Sequence, residues 1–214
     1  MITYDDIEQR SPEWFFKRGG TITGTRLKGI MGTLAKRKDV EYEILAEKLA
    51  IGIGEEDNRT AMEKGVEYEP VAIAEFELEH GVKVRSTGFA ENEKNCKIAN
   101  SPDGIVEDTD EAEMVEVKCP ERKNFVKYVI ENVIPEEYNW QVVQYFTVNE
   151  KLNKLWFVIY NPSITCHPMH VITVYRKDVK ELIDRAIKTQ TVVLQEVEAM
   201  YATFPGVEES FNNL

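Results

Sequence analysis

The sequence predicts an α/β domain, a mixed β-sheet flanked by helices, and three observations lead there. Helical apolar spacing dominates residues 11–80, strand-like alternation takes over from residue 82, and further helical patterns separate and follow the strands. The 214 residues, 43% of them hydrophobic and 30% charged, fit one domain with an ordinary core.

The elements follow in order. Ser11-Pro12-Glu13 is a helix start, with a capping hydroxyl, proline at the first position and an acid in the first turn. That helix, carrying Trp14 and Lys17, should end at Gly19-Gly20, and Thr23-Gly24-Thr25 should open another through Leu27 and Ile30. Residues 40–50 repeat apolar side chains at Val40, Ile44, Leu45 and Leu49, which is helical spacing. A loop is expected over 52–58, then a long helix from about Thr60 to His80, kinked or broken at Pro70 and stopped by Gly81.

Residues 82–89 and 113–118 alternate as strands do, with another strand around the turn of Ser101-Pro102-Asp103-Gly104 and an acidic hairpin loop over Glu107 to Glu113. Helices are expected near 122–131 and 136–149, strands at 155–160 and 169–176, and an amphipathic helix from about Asp178 to Tyr201. Residues 208–214 read as a loose tail. There is no internal repeat.

Composition narrows the function classes. No apolar run approaches the roughly 20 residues of a membrane span, and the N-terminus lacks a signal-peptide core, so a cytoplasmic protein with no membrane partner is expected. Cys96, Cys119 and Cys166 are widely spaced and odd in number, which does not suggest a disulfide framework. The net charge of −12 is unevenly spread. Lys17, Arg18, Arg26, Lys28, Lys36, Arg37 and Lys38 precede a heavily acidic stretch from Glu41 to Glu116. A phosphodiester hydrolase needs both features, carboxylates to hold metal and a separate basic surface to hold a strand.

The residues that carry chemistry are Asp103, Glu116 and Lys118. Strand periodicity puts Glu116 and Lys118 on one face and turns Val117 into the core. If the strand bearing Glu116 pairs with the one that follows Asp103, the hairpin unites the two carboxylates. With a backbone carbonyl they make a hard oxygen site suited to magnesium, and Lys118 beside it could orient or help deprotonate the attacking water, or stabilise developing charge. An Asp…Glu-x-Lys pattern also arises by chance in charged proteins. The defined turn before Asp103 and the valines flanking Glu116 favour the catalytic reading. Glu69 lies on the long helix before the sheet. Gln141 and Tyr145 share a face of a later helix, where they could contact a phosphate or hold the reacting strand.

Taken in order, Trp14 with Arg18 and Ile22-Thr23-Gly24-Thr25, Gly65-Val66-Glu67-Tyr68-Glu69, Ser101-Pro102-Asp103-Gly104, Glu116-Val117-Lys118-Cys119-Pro120 and the Gln141 helix resemble the lambda exonuclease family. These YqaJ-like viral recombinases belong to the RecB-like nucleases of the restriction-endonuclease-like fold. The resemblance implies a single nuclease domain over 1–214 whose N-terminal helical region, about 11–60, contributes to DNA-end binding. It implies that Asp103, Glu116 and the Val117 carbonyl bind Mg2+, with Mn2+ as a substitute, and that Lys118 is the catalytic lysine. Glu69 and Gln141 would line the active site, and Arg18, Thr25 and Ser101 would recognise a 5′-terminal phosphate. Thr25 stands where the family has serine, keeping the hydroxyl, and Gln141 and Gln144 are spaced more widely than the family's Gln-x-Gln. The implied activity is 5′-to-3′ digestion of one strand of linear double-stranded DNA. It leaves 3′ single strands for a single-strand annealing protein, in a phage-type recombination system and by a homo-oligomer, a trimer by analogy. The alternatives are an endonuclease of the same fold and a non-catalytic DNA-binding protein. Cys166, His167 and His170 raise a zinc reading that is set aside, because His167 would point away and a fourth ligand is missing.

Overall fold

The computed structural model describes residues 1–49, 63–205 and 207, the side chains of 63–67 excepted. The loop expected at 52–58, the helix start near Thr60 and the tail at 208–214 lie outside the described residues.

The chain opens with strand β1 (Ile2–Tyr4) and helices α1 (Pro12–Arg18), α2 (Gly24–Ile30), α3 (Leu34–Leu49) and α4 (Glu63–His80). Short strands β2 (Val84–Arg85), β3 (Phe89–Glu91), β4 (Ala99–Asn100) and β5 (Gly104–Val106) follow, then the longer β6 (Ala112–Lys118). Helices α5 (Arg122–Glu131) and α6 (Asn139–Val148) lead to β7 (Leu152–Tyr160), β8 (Met169–Tyr175) and helix α7 (Lys180–Ala202).

The main sheet has strand order β2-β5-β6-β7-β8. Strands β6 and β7 are parallel and joined by the α5–α6 crossover, whereas every other neighbouring pair is antiparallel. Apolar side chains cover both faces. Met114, Leu155, Phe157 and Ile159 pack against Phe125, Val142, Phe146 and Ile183 from α5, α6 and α7. Val115, Val117, Val158 and Tyr160 pack against Ala72 and Phe76 of α4. Pleating therefore sends Glu116 and Lys118 to the α6 side and Val117 to the α4 side. Among the described residues, no helix is long and apolar enough to cross a membrane.

Three local expectations need correction. Pro70 does not interrupt α4, which runs through it to His80. Its ring lies at the surface, and buried Ala72 and Phe76 hold the following turns against the sheet. Helix α3 starts at Leu34, before its apolar repeat, where Arg37 and Lys38 both pair with the buried carboxylate of Glu41. Residues 82–89 are not one strand but feed two sheets. Val84–Arg85 pairs with β5, while Phe89–Glu91 joins a small antiparallel sheet of order β1-β3-β4. The switch needs Gly88, where a Cβ would lie 1.6 Å from the Ile7 carbonyl oxygen.

Candidate active site and metal centre

Register builds the centre. Gly104 pairs with Val115 across the β5–β6 hairpin, so Asp103 arrives level with Glu116. The Val117 N–H donates to Asp103 Oδ2 over 2.7 Å, fixing the carboxylate beside the strand segment that carries Glu116 and Lys118.

Glu116 is 1% exposed, a state a carboxylate tolerates only when its oxygens are satisfied. Helix α6 supplies the partners from one face. Gln141 Nε2 donates to Oε1 over 2.6 Å, and the Tyr145 hydroxyl donates to Oε2 in a short hydrogen bond. The Lys118 ammonium pairs with Oε1 and lies 5.3 Å from the centre of the Tyr138 ring. Tyr145 is buried, with its hydroxyl aimed at Glu116 rather than outward, so its geometry suits holding a carboxylate and not touching a phosphate.

The electrostatics are those of crowded acids. Burial, then the charges of Glu116 and Glu69, raise the pKa of Asp103 well above the usual carboxylate range. Burial also raises that of Glu69, opposed by the Arg10 charge and reinforced by Glu116. For Lys118, burial disfavours the ammonium, but Glu116 and Asp103 outweigh it and hold the pKa above the ordinary lysine value. Burial and then the neighbouring Glu69 and Asp103 push the Cys119 thiol up to about 11, so it stays protonated at neutral pH.

Among the described residues, no group of three or more His, Cys, Asp or Glu side chains could hold a metal ion. A site of two carboxylates and the Val117 carbonyl does not require one. Its donors are hard oxygens, and the raised proton affinity of Asp103, set first by burial and then by the charges of Glu116 and Glu69, is only partly offset by Lys118. That chemistry fits a small divalent cation with water completing its shell.

A second cluster adjoins the first. Arg18 Nη2 donates to Thr25 Oγ1 over 3.0 Å, and the Thr23 and Thr25 hydroxyls lie 3.2 Å apart. The Arg18 guanidinium sits 4.8 Å from the centre of the Trp14 ring. Trp14 Nε1 donates to Ser101 Oγ at 2.8 Å and to the Gly88 carbonyl at 3.1 Å. Ser101 lies two residues before Asp103, so the contacts from Thr25 and Arg18 through Trp14 end at the turn that carries the first carboxylate. Gly24 brings α2 against α6 at the same place, since a Cβ there would lie 2.9 Å from Gln141 Cγ.

Sequence reasoning did not single out Gln9 or Tyr138 and left Gln144 without a role. Gln9 Nε2 donates to the Pro102 carbonyl over 3.2 Å, fastening the N-terminal loop to the turn that carries Asp103. Tyr138 abuts Lys118 from the turn before α6, with no sequence signal to mark it. Gln144 is fully buried, donates to the carbonyls of Ile22 (2.9 Å) and Ala99 (3.3 Å), and so ties α6 to the α2 entrance and β4. His170, from the zinc reading set aside above, has its Nε2 2.9 Å from Asn132 Oδ1.

A mixed sheet flanked by helices, with an Asp…Glu-x-Lys centre on adjoining strands, defines a nuclease of the restriction-endonuclease-like class. Residues 13–151 match the YqaJ-like viral recombinase domain, and the chain belongs to that family. Two solved structures of LHK-Exo, an alkaline exonuclease from Laribacter hongkongensis, are similar over 90% of this chain and 95% of theirs, each with a TM-score of 0.79. Identity is 27% to the complex with dAMP and 26% to the other. A phage-related exonuclease from Haemophilus somnus 129PT shares the fold at 16% identity and a TM-score of 0.54, over 83% of this chain and 92% of its own. No curated protein sequence matches.

Proposed function

We propose that the chain is a magnesium-dependent exonuclease that degrades one strand of linear double-stranded DNA from its 5′ end. Manganese should substitute. The observation that carries this reading is the series of contacts from Thr25 and Arg18 through Trp14 to Ser101, two residues before Asp103, whose carboxylate accepts from the Val117 N–H next to Glu116. A guanidinium fork with hydroxyls beside it suits a terminal phosphate dianion, and an enzyme cutting internal bonds has no use for such a pocket. The complex of LHK-Exo with dAMP agrees, because a nucleoside monophosphate is the size of product that end-wise digestion releases.

The division of labour follows from the residues. Asp103, Glu116 and the Val117 carbonyl would hold the cation, which when bound polarises the phosphoryl oxygen and acidifies a water. Gln141 and Tyr145 act through Glu116, fixing its rotamer so that its oxygens are aimed before the cation arrives. Lys118, held as an ammonium by Glu116 and Asp103 before a cation binds, is placed to orient the attacking water and to stabilise the charge that develops on the phosphoryl oxygens. Water adds to phosphorus and gives up a proton to solvent, the P–O3′ bond breaks, and the departing 3′ oxygen gains a proton from solvent. Glu69 lines the α4 side of the site. The remaining 3′ strand would pass to a single-strand annealing protein, and a ring-shaped homotrimer in a phage-infected cytoplasm is the setting the family suggests.

The test is digestion with Mg2+ of linear duplexes bearing 5′-phosphate or 5′-hydroxyl ends, alongside closed circular DNA. Loss of the phosphorylated linear substrate with circles intact is expected. Nicked circles would favour an endonuclease, and no cleavage in either metal would favour a binding protein.

A further inference from the structure

We propose that Arg10 is a substrate-contacting residue that grips a phosphate of the DNA strand at the mouth of the active site; this rests on the nuclease reading above. Arg10 has a left-handed backbone, φ 69°. Among the described residues the other non-glycine positions with positive φ are Asp108 and Asn132, whose short polar side chains suit that region. Arginine has no such local advantage, and glycine would fit the turn with less strain. The side chain, not the turn, accounts for arginine at this position.

The loop is fastened on both sides. Gln9 Nε2 donates to the Pro102 carbonyl over 3.2 Å, one residue from Asp103. The Ser11 N–H donates to the Glu8 carbonyl over 3.1 Å, and Ser11 Oγ accepts from the Trp14 N–H to cap α1, the helix that carries Arg18. Arg10 is thereby held between the turn of the carboxylate centre and the helix of the terminal-phosphate cluster. Its side chain is exposed and makes no hydrogen bond or ion pair among the described residues. Its charge nonetheless reaches Glu69. Lys118 is committed to Glu116 on the α6 side, so Arg10 supplies a cation on the α4 side with its donors still available. A planar fork of that kind matches two oxygens of one phosphate. A solvated cation that only softened acid repulsion would need neither the strained backbone nor the two anchors.

The experiment is equilibrium binding of a labelled, 5′-phosphorylated duplex in Ca2+, over a potassium chloride series, for wild type, Arg10→Gly and Arg10→Lys. Arg10→Gly should bind about five- to tenfold more weakly. Its slope of log affinity against log salt should shrink by about 0.9, one phosphate contact. Its thermal midpoint should equal or exceed the wild-type value, because glycine relieves the left-handed strain. Arg10→Lys should recover the slope and part of the affinity. An unchanged slope for Arg10→Gly overturns the proposal, and an unchanged slope with a lowered midpoint would mean that Arg10 only holds the loop. If wild type binds no duplex at all, the nuclease reading itself fails and takes this inference with it.

Discussion

The backbone N–H of Val117 donates to the carboxylate of Asp103, so the residue between Glu116 and Lys118 also fastens the other acid of the centre. One strand segment thus organises all three reactive side chains. The cost is concentrated negative charge.

In metal-free protein, Asp103 should oppose folding at neutral pH. Its folded pKa is raised above its unfolded value, by burial and then by Glu116 and Glu69. Such a group contributes stability that is fully present below the unfolded pKa and lost as pH rises through the folded pKa. The thermal midpoint in chelator should therefore fall as pH rises through that raised pKa, and Mg2+ should restore it by binding the folded state alone. Asp103→Asn should raise the metal-free midpoint and abolish the Mg2+ response. A variant no more stable than wild type in chelator, yet still stabilised by Mg2+, would contradict this account of the charge.

Tyr145 should act on the cation through Glu116. Tyr145→Phe removes one donor from a buried carboxylate while keeping the ring in the core. Metal affinity should weaken about 10- to 100-fold, as it does when other groups that orient ligands are removed. Metal-free stability should drop by about 1–3 kcal/mol. Calorimetric titration with Mn2+ checks the first figure and chemical denaturation in chelator the second. Loss of stability with unchanged metal affinity would reduce Tyr145 to packing.

Arg18→Ala should cut the preference for 5′-phosphorylated over 5′-hydroxyl ends by about tenfold or more, since a charge-assisted fork to phosphate is lost. Arg18→Lys keeps the charge without the fork and should recover only part. Initial digestion rates on matched duplexes measure the ratio. A preference unaltered in Arg18→Ala would move the terminal-phosphate pocket away from α1.

What was legible in the sequence was whatever local rules dictate. Pleating sets Glu116 and Lys118 on one face, the hairpin sets Asp103 beside them, and helical spacing sets Gln141 and Tyr145 together. What escaped depends on partners far along the chain. Strand β1 has only three residues and exists because Ile2–Tyr4 pairs with Phe89–Glu91. The sheet change at Gly88 is imposed by Ile7, and the burial of Gln144 by carbonyls of Ile22 and Ala99. Helical spacing puts Tyr145 on the right face beside Gln141, but spacing alone does not say that this face meets a strand rather than solvent.

The most direct test of the central claim is single-turnover cleavage of a 5′-phosphorylated linear duplex by Lys118→Ala, with binding of the same duplex measured in parallel. The account predicts that Mg2+-dependent cleavage falls by at least about 10²–10³-fold while affinity stays near wild type. Cleavage at the wild-type rate would remove Lys118 from the chemistry and, with it, the assignment of this centre.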